Sequence, residues 1–227
     1  MFESKYSKLL TVLLIVIVVG IIGLLGFLGY SYYINYVDIS DSEDYVKENF
    51  QTEISNSDSS NHNEENQNND NSGSLEGLES AGITNNNTNT AKKLPTYKGF
   101  GVLGAIEIPD INLSYPVLEK VTRTSLETSV AFQYGVGLNK PGNNVIIGHN
   151  YRNGVFFSNN KKLEVGDTIY IIDNDKNKLT YKIYDMFYAE PSDASFYQRD
   201  TNGVPEITLS TCSDDSSSRL IIFARAE

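Results

Sequence analysis

Ile207-Thr208-Leu209-Ser210-Thr211-Cys212 and, after the polar tract 213–218, Arg219-Leu220-Ile221-Ile222-Phe223-Ala224-Arg225-Ala226 form the stretch that decides the fold. Two β-branched, alternating runs separated by Ser and Asp read as an antiparallel hairpin closing the chain. In that hairpin Arg219 stands almost opposite Cys212. Arg225, on the same face of the same strand, lies ~20 Å further along at ~3.3 Å per residue. Cys212 is the one cysteine among 227 residues, so it has no partner for an internal disulfide. Such a thiol is either a small buried hydrophobe or a nucleophile, and the second role requires a base nearby. Two histidines are present. His62 sits between Asn61 and Asn63 in a tract unable to build a core, which leaves His149, after Val145-Ile146-Ile147-Gly148, as the candidate imidazole.

Upstream of the hairpin the same texture recurs: short alternating runs bounded by Gly, Pro, Asn and Asp. Strands are expected at Val102 to Ile108, Leu113 to Leu118, Ala131 to Tyr134, Asn144 to His149, Thr168 to Ile172, Leu179 to Glu190, Glu206 to Cys212 and Arg219 to Ala226. Eight short strands in residues 94–227 suit an all-β, closed eight-stranded barrel, which leaves no exposed sheet edge. Thr124 and Glu127 have capping-box spacing for a short helix over Ser125 to Ser129. Asp173 to Lys178 reads as a polar hairpin connection, since it lacks the Gly and terminal Glu of a calcium loop. No cofactor and no metal site is expected. Glu119, Glu127 and Asp193 could contribute to a calcium site, but their spacing does not select them.

The N-terminal part is different in kind. Residues 1–8 are short and basic, with Lys5 and Lys8; residues 9–29, Leu9 to Gly29, carry no charge. At ~1.5 Å rise per residue that run spans a ~30 Å hydrocarbon core, longer than a signal-peptide apolar region of ~7–15 residues. It reads as a transmembrane anchor. Lysines before it and Asp38, Asp41, Glu43 and Asp44 after it place the N-terminus in the cytoplasm and the bulk outside, with Tyr30, Tyr32 and Tyr33 suited to the outer interface. Residues 30–93 read as an acidic, Asn-rich stalk with a short helix around Ser42 to Ile54; from Ser55 to Thr90 the composition cannot offset ordering entropy. Anchor and stalk are expected to supply location, and a domain starting near Leu94 to keep the chemistry. The net charge of −11 is concentrated here, with 13 acidic and 5 basic residues in 1–94 against 16 and 13 afterwards. No basic stripe interleaved with aromatics suggests nucleic acid.

A thiol at neutral pH has a small thiolate fraction and needs a proton acceptor, a role suited to His149. A permanently charged guanidinium at Arg219 could face the oxyanion that forms when sulfur attacks a carbonyl. Together the three residue types point to acyl transfer through a thioester. Singly, each also fits a buried Cys, a strand-end His and a solvated Arg. Their common position at strand ends suggests a site at the barrel mouth.

Thr208-Leu209-Ser210-Thr211-Cys212, Gly148-His149 and Arg219 resemble the Thr-Leu-x-Thr-Cys, Gly-His and Arg elements of sortases, membrane-anchored cysteine transpeptidases of Gram-positive bacteria. The resemblance extends from Gly101 to Ala226 and includes Ile106-Glu107-Ile108-Pro109, Tyr115-Pro116-Val117 and Leu163-Glu164-Val165-Gly166-Asp167. It implies a sortase-type barrel that cleaves a Leu-Pro-x-Thr-Gly-like sorting signal between Thr and Gly. Cys212 would be the nucleophile, His149 the general acid/base, Arg219 the stabiliser of substrate and oxyanion, and Thr211 and Ser210 substrate-groove residues. Partners would be surface proteins bearing the signal and an amine of cell-wall precursor or a pilin-like subunit. Only about 15 residues separate Glu190 from Glu206, too few for a class B helical insertion, and neither the inhibitory lid motif nor the second span of class C is seen; the sequence is class A- or D-like. Two other readings stay open: a hydrolytic cysteine peptidase, in which water resolves the thioester, and a non-catalytic surface binding module.

Overall fold

Among the described residues, alternation of apolar and polar side chains produces nine strands: β1 (Thr96–Tyr97), β2 (Phe100–Ile108), β3 (Leu113–Leu118), β4 (Val130–Tyr134), β5 (Gly142–Ile147), β6 (Thr168–Asp173), β7 (Lys178–Ala189), β8 (Pro205–Cys212) and β9 (Arg219–Ala226). The structure, a computed structural model, describes residues 3–51 and 93–227. The tether expected over Ser55 to Thr90, and His62 within it, lie outside the described residues.

Strands β2 to β9 close on themselves in the order β2-β3-β4-β5-β8-β9-β7-β6, with β6 returning to β2. This is the expected eight-stranded barrel. The two-residue β1 adds a hairpin to β2 through Lys98 and Gly99, both with positive φ, as a tight two-residue hairpin turn requires. Inward-facing Ile106, Ile108, Ile146, Ile169, Ile171, Ile207 and Leu209 fill the interior, each contributing about 1.5–3 kcal/mol by leaving water. Most pairs are antiparallel, but β3–β4 and β5–β8 are parallel, so each needs a crossover rather than a hairpin.

One local expectation is corrected and another holds. The short helix α2 is Arg123–Leu126, capped by Thr122 rather than Thr124. Thr122 Oγ1 accepts from the Ser125 amide at 3.0 Å and Ser125 Oγ accepts from the Thr122 amide at 2.8 Å, so Ser125 fills the role given to Glu127. The β6–β7 connection is the polar turn expected, and the Asp173 carboxylate accepts from the amides of Asp175 and Asn177.

The N-terminal segment forms one continuous helix, α1 (Glu3–Phe50), so the short helix expected around Ser42 to Ile54 is not a separate element. Nothing between Tyr30 and Phe50 interrupts it, since that stretch holds neither Gly nor Pro. Leu9 to Phe27 project exposed apolar side chains, in keeping with a membrane span by length and composition. Further on, Ile39, Ser42, Val46 and Phe50 recur at helical spacing. Val46 and Phe50 pack on Tyr97, Val102, Ala105, Leu118 and Ile172. The helix therefore covers part of the barrel wall, and a domain beginning near Leu94 would leave that patch bare.

Candidate active site

The site is built by the one parallel pair that joins the two halves of the motif. In the β5–β8 ladder Ile147 is opposite Ser210. Two residues further along each strand come His149 and Cys212. Because the strands run the same way, both leave the sheet at the same end, side by side. β5 stops at Ile147, short of the expected His149, and Gly148 turns the chain: a Cβ there would lie 2.9 Å from both Phe157 Cδ2 and Val130 Cγ1. Only a glycine fits between those side chains and β8, to whose Ser210 carbonyl it donates at 3.2 Å.

The terminal hairpin has the expected register, with Cys212 opposite Arg219 and Glu206 opposite Arg225. Arg219 Nη1 donates to Cys212 Sγ at 2.7 Å. Arg225 is committed elsewhere, its Nε donating to Glu206 Oε1 at 2.7 Å. β9 thus brings a guanidinium to the thiol, and the turn after β5 brings an imidazole to the same end of the sheet.

Cys212, His149, Arg219 and Ser210 line a cleft of about 300 Å³. Ile147 forms part of its floor and Leu126, Phe196 and Tyr197 part of its walls. Since Ile146 points into the core, its neighbour Ile147 faces outward. The cleft consequently lies on the outer barrel wall beneath the 190–204 connection, rather than at the open mouth. Thr211 does not line this cleft. It is buried and its hydroxyl donates to the Gly148 carbonyl at 2.8 Å, which ties β8 to the His149 turn; with Cys212 it lines a smaller cavity of about 80 Å³.

His149 is half-buried and stacks on Tyr151, with ring centroids 4.9 Å apart and planes at 30°. Burial pushes its pKa below the ordinary 6.5; Glu127 opposes the shift and Arg219 adds to it. The imidazole is therefore held in the neutral, proton-accepting form near neutral pH. Among the described residues no three His, Cys, Asp or Glu side chains converge as metal ligands.

The Sortase domain family model matches residues 106–227, more than half of the chain. This chain belongs to the sortase family. Sortase A of Bacillus anthracis is 33% identical over 124 residues, 53% of this chain and 58% of that relative's length. The chain therefore spans less than two thirds of the relative it matches. Among solved structures, a lid mutant of sortase A from Corynebacterium diphtheriae superposes with a TM-score of 0.52 at 27% identity, covering 56% of this chain and 71% of the other. Clostridium perfringens sortase C with the C-terminal cell wall sorting motif gives 0.50 at 26%, covering 56% and 70%. These neighbours carry different class names, so the likeness of fold does not choose a subclass.

In this sortase three further elements escaped the sequence reading. Asn150 Nδ2 donates to the Cys212 carbonyl at 2.9 Å and to Asp214 Oδ1 at 3.0 Å, tying the segment after His149 to the β8–β9 loop. Tyr151 supports the imidazole. On the same outer wall, buried Glu206 pairs with Arg199 and Arg225 and accepts from the Tyr184 hydroxyl at 2.8 Å. Arg199 also donates to Asn143 Oδ1 at 2.9 Å, so the 190–204 connection over the cleft is fastened to the barrel by charge. A lone Glu at a strand start and an Arg in a loop carry no sequence signal for such a pairing.

Proposed function

We propose that this sortase is a cysteine transpeptidase that cleaves a Leu-Pro-x-Thr-Gly-like sorting signal between Thr and Gly and passes the acyl group to an amine. The observation that supports this reading is the meeting of Cys212, His149 and Arg219 in one cleft. Cys212 sulfur attacks the threonyl carbonyl carbon; its proton passes to His149, and the oxyanion is stabilised by Arg219. On collapse the C–N bond breaks as the imidazolium protonates the departing glycyl amine, leaving a thioester. An incoming amine then gives a proton to the neutral imidazole, forms the new C–N bond and expels the thiolate, which recovers its proton. Donor proteins would carry the signal; the acceptor would be an amine of cell-wall precursor or of a pilin-like subunit. The 33% identity to Bacillus anthracis sortase A and the sorting motif in the Clostridium perfringens sortase C structure lend support to this chemistry.

The charge step from Lys5 and Lys8 to Asp38, Asp41, Glu43 and Asp44 supports a single-pass orientation with the N-terminus cytoplasmic and the barrel outside. The test is to incubate the full chain with a signal peptide, with and without added amine. Transpeptidation gives an amide product that grows with amine concentration. Cleavage to the free acid at an amine-independent rate would favour the peptidase, and no thiol-dependent turnover the binding module.

A further inference from the structure

Beyond the cleft, α1 reaches the loop that leaves His149. The loop folds back on itself: Asn150 and Phe156 form a β-bridge, and the Phe157 amide donates to the His149 carbonyl at 3.1 Å. Its backbone is not relaxed. Arg152 and Phe156, neither of them glycine, have φ of 61° and 52°. Such conformations persist where their surroundings hold them.

Part of what holds this loop belongs to α1. Asn153 Nδ2 donates to Asn35 Oδ1 at 3.2 Å. Ile39 packs against the barrel core and shares the lining of a small cavity with Tyr115, Gly154 and Phe156. Tyr115 in turn accepts from the Phe156 amide at 3.2 Å, and the two rings lie 5.3 Å apart. From Phe156 the contacts continue to Tyr151 at 5.8 Å and from Tyr151 to His149 at 4.9 Å. We propose that Asn35 and Ile39 of the anchor helix are positioning residues for the reaction, bracing the Asn150–Phe156 loop so that Tyr151 keeps His149 aligned with Cys212. The role in the reaction rests on the proposed transpeptidase; the coupling of helix to imidazole does not.

Val46 supplies the comparison, because it packs on the same helix against Val102 and Leu118 without touching the loop. Glu127 and Arg219 are the charged groups that act on His149, and Cys212 and Asp193 share its cleft; none is altered by the substitutions. The experiment uses the full chain in detergent micelles, carrying His62→Gln so that His149 is the single imidazole. Its NMR titration midpoint and its transfer kinetics are measured in the parent, in Asn35→Ala/Ile39→Ala and in Val46→Ala. Loosening the loop wets the imidazole, so the double variant should titrate higher, towards the ordinary value. Its kcat should fall on the order of tenfold or more with KM within about twofold. Val46→Ala should lower stability and leave the midpoint in place. An unchanged midpoint and kcat in the double variant overturns the proposal, as does an equal shift in Val46→Ala. A parent without turnover contradicts the proposed reaction, and the titration then decides the coupling by itself.

Discussion

At the scale of single residues, the two arginines of β9 have different partners. Arg219 faces the thiol and Arg225 faces Glu206. Arg219→Ala should cost on the order of 10² or more in transfer rate. Arg219→Lys should restore part of it, since an ammonium lacks the planar donor fork. Arg225→Ala should leave the rate nearly unchanged; steady-state kinetics on equally folded variants gives the ranking. His149 makes a second prediction through pH. Its pKa is lowered on folding, chiefly by burial, so the unfolded chain binds a proton at a pH where the folded one does not. Its stabilising contribution is complete above about 6.5 and declines as the pH falls from there to the folded value. Denaturant titrations should show the parent losing stability through that window and His149→Gln losing less; equal slopes would mean that His149 is not desolvated.

At the scale of elements, the site depends on how β5, β8, β9 and the 190–204 connection are fastened. Glu206 is fully buried with Arg199 and Arg225 as partners. Removing it leaves Arg199, itself mostly buried, without its carboxylate, and loss of one partner of a buried pair costs roughly 3–5 kcal/mol. Glu206→Ala should lower thermal stability accordingly and increase proteolysis between Pro191 and Val204, whereas an unaltered melting temperature would argue against the fastening. This network was not legible in the sequence, because the pairing joins a strand start to a loop that has no periodicity. The β8–β9 register was legible: a six-residue polar loop leaves little freedom, so Arg219 fell opposite Cys212. The parallel β5–β8 pairing was not, since no short-range signal links strands 60 residues apart. The motif places Thr211 beside the thiol, but does not reveal the bond by which its buried hydroxyl ties β8 to the Gly148 carbonyl, which depends on the β5–β8 pairing.

At the scale of the whole molecule, a barrel carries the chemistry and a helix carries the barrel. Composition revealed the apolar span, yet the extension of α1 to Phe50 depends on a stripe of four residues whose meaning appears only against the barrel surface. A chain starting at Leu94 should fold less stably than one retaining residues 30–51, because Tyr97, Val102 and Leu118 lose their cover; equal melting temperatures would show that the helix contact contributes nothing. The central claim is that one thiol holds the acyl group between donor and acceptor. Its most direct measurement is the intact mass of the full chain quenched in acid during turnover of a Leu-Pro-x-Thr-Gly peptide. The account predicts an adduct equal to the peptide's acyl portion, localised to Cys212 by peptide mapping, absent in Cys212→Ala and discharged by added amine. Turnover without any adduct, or with a Cys212→Ala protein still active, would contradict it.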